Sequence, residues 1–290
     1  MLLLAGCRDR DLPQAIWLST GTGPAQVVYP RAIAYDAPRD QFVVVDRMAR
    51  VQRIDRDGQF VAGWRMPDYM MGKPVGVSVG PDGNIYVPDT HYQRIMVYSP
   101  DGHLLRQWGA PGKEDGQFIF PTDVAFDDRG RVYVSEYGDH DRIQIFDMQG
   151  NYLAQFGQFG DGEAAFSRPQ SIAIVGDTVY LADSCNHRIG VWKTDGRFVK
   201  NIGTVGTAAG EFRFPYGLDV SPDGKLLVTE FGNNRVQVID PESGKSVLQW
   251  GRAGRQPGEL AYPWAAVTDK RGRVVIVDAG NNRLQVLQRR

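Results

Sequence analysis

The chain has 290 residues, 42% hydrophobic and 23% charged, with a formal net charge of −1. This globular composition lacks the basic excess of a dedicated nucleic-acid binder and any apolar run near the roughly 18 residues that span a bilayer. A chain this long buries about three quarters of its unfolded surface without disulfide or metal staples, and two cysteines, Cys7 and Cys185, make no disulfide framework.

In chain order, the first feature is LLLAGC, Leu2 to Cys7, an apolar run ahead of the charged RDRD. Leu4-Ala5-Gly6-Cys7 resembles the bacterial lipobox, at which a signal is cleaved and the cysteine lipidated. Only six residues precede Cys7 and none is basic, so a full signal of this kind would have to start upstream. The resemblance implies a truncated lipoprotein-type signal over 1–7, a lipid on Cys7 and a short tether over 8–13. It places the protein in the bacterial cell envelope, anchored on the extracytoplasmic side.

From residue 14 to 290 the chain is one repeat array. Prolines recur at 30, 74, 121, 169, 215 and 263, spaced by 44, 47, 48, 46 and 48 residues. Each unit reads as four short strands. In the second, Val75–Val79 leads to the Asp82-Gly83 turn, Ile85–Val87 follows, and a polar bend precedes the alternating run Arg94–Tyr98. Asp101-Gly102 then introduces a fourth run ending at Trp108. Alternation bounded by Gly, Asp and Asn marks strands and hairpins, and no stretch keeps a 3.6-residue period. Six such units predict an all-β fold, a single six-bladed β-propeller.

Ring closure is also predicted. Trp108, Phe156, Ile202 and Trp250 each lie 13 residues before the next repeat proline, and Trp17 stands in the same relation to Pro30. The last unit ends at Leu287 after its third strand. The segment Ala15–Ser19 is therefore expected to supply the outer strand of blade six.

After the second strand come DSCNHRIGV (183–191), EFGNNRVQV (230–238) and DAGNNRLQV (278–286). These runs resemble the signature of NHL repeats, and the resemblance extends over all six units. It implies the propeller and leaves function open, because NHL propellers include protein-binding, RNA-binding and enzymatic members. One enzymatic branch, the peptidyl-hydroxyglycine lyase, holds zinc with channel histidines. This chain has no histidine directly after its repeat prolines.

Every unit carries an acid and then an arginine: Asp46 and Arg50, Asp89 and Arg94, Glu136 and Arg142, Asp183 and Arg188, Glu230 and Arg235, Asp278 and Arg283. Blades sit about 10 Å apart and calcium needs its oxygens at about 2.3–2.6 Å, so six such acids do not converge on one ion. Pairing across a hairpin is expected instead. His91, His103, His140 and His187 show no zinc spacing, and Cys185 has no patterned partner for nucleophilic work.

Two acids break the pattern of small residues on the first strands: Asp123 in unit three and Asp219 in unit five. Each is expected near the channel, either satisfied by local hydrogen bonds and water or ligating an ion, calcium being the candidate. Residues after the repeat prolines and after the acids emerge on one face. They place Arg31, Arg47, Tyr137, Tyr216, Phe231 and Trp264 around the channel mouth. Aromatic and Arg enrichment marks binding hot spots, although such rings also cover blade edges. The joint RMPDYMMGKP differs from the Gly-rich joints elsewhere and exposes Met70 and Met71 either to a gap or to a partner.

The expectation is a monomeric, non-enzymatic extracytoplasmic propeller that binds a protein, peptide or envelope component on this face, with no nucleic acid. The alternative is a calcium-dependent hydrolase (lactonase or esterase) or a lyase with its site in the channel.

Overall fold

The structure, a computed structural model, describes residues 12–71 and 73–288. The expected lipid site, Cys7, lies outside the described residues. Six four-stranded antiparallel sheets follow one another around a ring. The first three blades are Pro30–Asp36, Gln41–Asp46, Arg50–Asp55 and Phe60–Arg65; Ser78–Val79, Ile85–Asp89, Arg94–Tyr98 and Leu104–Trp108; and Phe120–Phe126, Val132–Tyr137, Arg142–Phe146 and Tyr152–Phe156. Blade four is Pro169–Val175, Thr178–Asp183, Arg188–Lys193 and Phe198–Ile202, and blade five is Pro215–Val220, Leu226–Glu230, Arg235–Ile239 and Ser246–Trp250. Blade six has Ala266–Thr268, Arg273–Asp278 and Arg283–Gln288, completed by Ala15–Trp17.

The closure follows the expected register, with Ala15 opposite Val286 and Trp17 opposite Leu284. Trp17 also takes a seat that recurs in three other joints. Trp64 lies on Gly102, Trp108 on Gly150, Phe156 on Gly196 and Trp17 on Gly58, where an added Cβ would come within 3 Å of each side chain. At Gly150, φ is +91°, so glycine is required both for the turn and for the ring above it. The side chain ending one blade's outer strand thus packs on the hairpin turn of the next blade.

Apolar residues fill the spaces between blades rather than one central core. Ile33, Phe42, Val275 and Trp17 fill the seam between blades six and one. Leu218 and Val228 share a cluster with Ala182 and Val191 between blades four and five.

The six acid–arginine pairs all form. Separations include 2.9 Å for Asp89–Arg94, 2.7 Å for Glu136–Arg142, 2.8 Å for Asp183–Arg188 and 2.7 Å for Asp278–Arg283, with Asp46–Arg50 and Glu230–Arg235 equally close. Outside blade two, the carboxylate also fixes the chain just before the repeat proline: Glu136 accepts from Ile119 N–H, Asp183 from Ser167 N–H, and Asp278 from Ala261 N–H. The arginines donate onward to joint carbonyls, as Arg235 does to Ala208 and Glu211. This motif is a staple for the joint. In blade two, with its different joint, Arg94 reaches Asp68 instead, and the Asp89 carboxyl is pushed up to about 6, first by burial. The same joint leaves Met70 83% exposed.

Candidate binding site

The second residue of each NH or NN pair explains how the mouth of the channel is built. His187, Asn234 and Asn282 sit in left-handed backbone at bends. Their side chains reach the next blade and accept the N–H of the residue before its proline. Tyr29 N–H donates to Asn282 Oδ1 at 2.7 Å, Phe214 N–H to His187 Nδ1 at 3.0 Å, and Tyr262 N–H to Asn234 Oδ1 at 2.8 Å. Asp141 does the same for Arg168. All four held residues have positive φ, between 47° and 59°, which is unfavourable for bulky side chains unless the surroundings enforce it. Here the hydrogen bond from the preceding blade enforces it. The His187 ring is therefore a structural acceptor, and burial, followed by Arg213, lowers its pKa.

The result is an aromatic collar. Tyr216 stacks on Phe231 at 4.7 Å and meets Trp264 edge-on at 5.0 Å. Phe231 contacts Tyr262, Tyr29 contacts Trp264, and Phe120 contacts both Tyr137 and His91. Gly217 makes the closest approach tolerable, since a Cβ there would lie 2.7 Å from Ala265 Cα and 2.8 Å from Trp264 O.

Two guanidiniums lie over this collar. Arg31 sits 4.9 Å from the Trp264 ring centre and 5.9 Å from Tyr29. Arg168 sits 5.0 Å from Tyr137 and 5.7 Å from Tyr216. Among the described residues, the arginines of the six repeated pairs meet carboxylates, whereas Arg31, Arg47 and Arg168 form no ion pair. Burial lowers the Arg31 pKa, and the positive charges of Arg47 and Arg168 lower it further. His91 is likewise pushed down, by burial and then by Arg31 and Lys73. The mouth is thus cationic and aromatic, its guanidiniums outside any ion pair among the described residues, and cation–π contact helps hold Arg31 and Arg168.

All six residues expected at the mouth come together there. Arg31, Tyr216 and Trp264 line the central cavity, which has a volume of about 990 Å³. Tyr216 and Trp264 are less open than the sequence implied, 9% and 8% exposed, because the rings cover one another and form a wall. Sequence reasoning missed Tyr29, Arg168 and Tyr262. Their signal was one residue away: the position before each repeat proline is Tyr, Lys, Phe, Arg, Phe and Tyr in turn.

Asp123 and Asp219 line the same cavity deeper down. Asp123 Oδ2 accepts from Ser171 Oγ at 2.7 Å and from Ile172 N–H at 3.0 Å, and Asp219 Oδ2 from Thr268 N–H at 2.9 Å. Each therefore ties its blade to the next. Among the described residues, no three His, Cys, Asp or Glu side chains converge as metal ligands. Calcium takes six to eight oxygens, so two separately engaged carboxylates do not fit it. Burial pushes the Asp123 carboxyl up to about 6 and Asp219 up to about 7, against an ordinary 3.8.

A raised folded-state pKa means that these acids favour the fold most below about pH 4 and lose that contribution as pH rises through 6 to 7. Asp219→Asn should therefore gain stability relative to the unmodified chain between pH 4 and 8, by on the order of 3 kcal/mol. Urea unfolding at both pH values measures this, and a difference that does not change with pH would contradict it.

Cys185 lies beside Arg168 and Tyr216, with its thiol pKa pushed up by partial burial. That is the opposite of nucleophile activation.

Comparison with known proteins supports the repeat reading. The family pattern described as NHL repeat matches residues 166–192, 212–239 and 260–287. Protein brain tumor of Drosophila melanogaster is 30% identical over 154 residues, covering 50% of this chain and 14% of its own length. Peptidylglycine alpha-amidating monooxygenase of Rattus norvegicus is 33% identical over 142 residues, covering 44% of this chain and again 14% of its own length. The chain therefore spans a small part of these curated relatives. The solved structure of a streptogramin B lyase superposes with a TM-score of 0.64 over 94% of this chain and 86% of that one, at 17% identity, a likeness of fold. Sequence motif, blade architecture and family pattern agree: the chain is a six-bladed β-propeller that carries NHL repeats over residues 166–192, 212–239 and 260–287.

Proposed function

We propose that this protein is a non-enzymatic binding propeller whose channel mouth recognises a protein or peptide partner. We propose further that it works outside the cytoplasm, held to the envelope by lipid on Cys7. The observation that carries the binding reading is the pair Arg31 and Arg168, in no ion pair among the described residues, over an aromatic wall, with exposed Arg47 beside them. Unpaired cations at a half-buried surface cost stability unless a ligand uses them, and Arg with Tyr and Trp are the residues that dominate recognition. The competing hydrolase or lyase reading needs convergent ligands or an acid–base pair in the channel. Asp123 and Asp219 are instead committed to bonds between blades.

A photo-crosslinking residue at Arg47, on the rim, should yield partner adducts in the native envelope, while the same residue at Asp128, on the opposite face, should not. Trp264→Leu, with folding verified by circular dichroism, should reduce the Arg47 adducts at least fivefold. Equal adducts from both faces would reject this site.

A further inference from the structure

The mouth contains polar atoms that the fold leaves without partners. Among the described residues, Arg31 Nε, Arg168 Nε and Trp264 Nε1 are buried donors with nothing to donate to, and Gln170 Oε1 is a buried acceptor with nothing to accept. Gln170 is 3% exposed, and with Arg31, Tyr216 and Trp264 it lines the cavity. Buried polar groups in folded proteins are nearly always satisfied, and leaving one unsatisfied costs about 1–3 kcal/mol. With His91 Nδ1, also buried without a partner among the described residues, five such atoms at one mouth, two of them on the Arg31 and Arg168 guanidiniums, describe the complement of a ligand.

The ligand's chemistry follows from the kinds of atom left over. Guanidinium and indole N–H groups require acceptors, and the charge requires an anion. Guanidinium matches the bidentate oxygens of a carboxylate or a phosphate. The carbonyl acceptor Gln170 Oε1 requires an N–H close to that anion. The aromatic wall requires an apolar body. The last residue of a peptide carries all three: a carboxylate, an amide N–H next to it, and a side chain.

A polyanion fits less well. Asp219 lies three residues along the strand from Tyr216, about 10 Å at 3.3 Å per residue. A chain of phosphates running inward would therefore meet buried carboxylates. A single negative charge held at the mouth, with its neutral chain leading out to solvent, does not. The cavity leaves room for the last side chain.

Building on the peptide-binding reading above, we propose that the mouth binds the free carboxyl terminus of a peptide whose last side chain is apolar or aromatic. The carboxylate lies between Arg31 and Arg168, the terminal amide N–H donates to Gln170 Oε1, and the last side chain packs on Trp264 and Tyr216.

The test uses an N-acetylated tetrapeptide ending in phenylalanine, prepared as the free acid and as the C-terminal amide, titrated calorimetrically into the whole protein. The acid should bind at least tenfold more tightly than the amide. Arg31→Met and Arg168→Met break no ion pair among the described residues, so both should fold with unchanged or higher unfolding midpoints. Each should bring the acid's affinity down towards that of the amide and leave the amide unaffected.

Equal binding of acid and amide would overturn the carboxylate site while leaving a peptide-binding mouth intact. Binding of neither would overturn this inference, and the crosslinking contrast between the two faces would still decide the broader reading. A single-stranded oligonucleotide that binds more tightly than the acid, with affinity falling steeply as salt rises, would overturn both.

Discussion

Arg142→Ala is expected to lower stability by about 3–5 kcal/mol, the range for breaking a buried pair by removing one partner, and to lower the melting midpoint by roughly 10 °C. Arg142 and Glu136 are both almost wholly buried. The guanidinium holds Glu136 at 2.7 Å and also donates to Gln155 and to the carbonyls of Glu114 and Gln117. Its loss leaves those acceptors and a carboxylate without their cation.

The penalty should depend on pH with a definite sign. Burial already raises the Glu136 pKa, and Arg142 is the strongest influence opposing that rise. Without it the folded-state value climbs further above the unfolded one. The acid then favours the fold only at low pH, and that contribution is lost as pH rises through the higher value. The deficit of Arg142→Ala should accordingly be larger at pH 8 than at pH 5, and adding Glu136→Gln should recover much of it at pH 8. Arg252→Ala, at an exposed pair with Glu259, should cost under about 1 kcal/mol. Denaturant midpoints for these variants decide the matter, and an equal loss at positions 142 and 252 would refute the staple.

Much of this architecture could be read before any coordinates because each blade repeats its chemistry. The proline spacing, the Asp-Gly turns and the acid–arginine pairs each have a local cause that survives translation from unit to unit. Trp17 was recognisable by its distance from Pro30 alone. The mouth was legible only in part. Arg31, Tyr216 and Trp264 follow from the repeat position after the proline, but Arg168 and Tyr29 sit one residue earlier, where a side chain reaches the mouth only if the backbone is left-handed. That conformation depends on Asp141 and Asn282 in the preceding blade, 27 and 253 residues away. The destination of Asp123 was equally hidden. Its partner, Ser171, is 48 residues on, and one sequence offers an ion and a neighbouring strand as equal alternatives. What escapes the sequence here is the direction of a side chain between blades.

The same dependence on neighbours governs ring closure. A chain beginning at Ser19, lacking the strand Ala15–Trp17, is expected to lose more than the about 3–5 kcal/mol of a single buried Trp→Ala change. Trp17 is buried against Phe42 at 5.5 Å and carries Arg273 above its ring at 5.5 Å. The Gln14 N–H to Val286 bond and the pairing along Arg283–Gln288 go with it. Strand Arg283–Gln288 then becomes an open edge, a template for pairing with other chains. The seam is not left empty, because Arg271 still meets Asp40 at 2.8 Å and Arg273 still reaches the Arg56 carbonyl. Those contacts are exposed and contribute little, and although Ile33 and Phe42 still pack towards Val275, this seam alone has lost a strand, so opening should be confined to it. Hydrogen exchange should then accelerate in blades one and six while blades three and four keep their protection. A synthetic peptide of residues 12–20 added in trans should restore protection, and Trp17→Ala in that peptide should abolish the rescue. Uniform loss of protection around the ring would show instead that the blades unfold as one cooperative unit, with closure holding all six together rather than one seam.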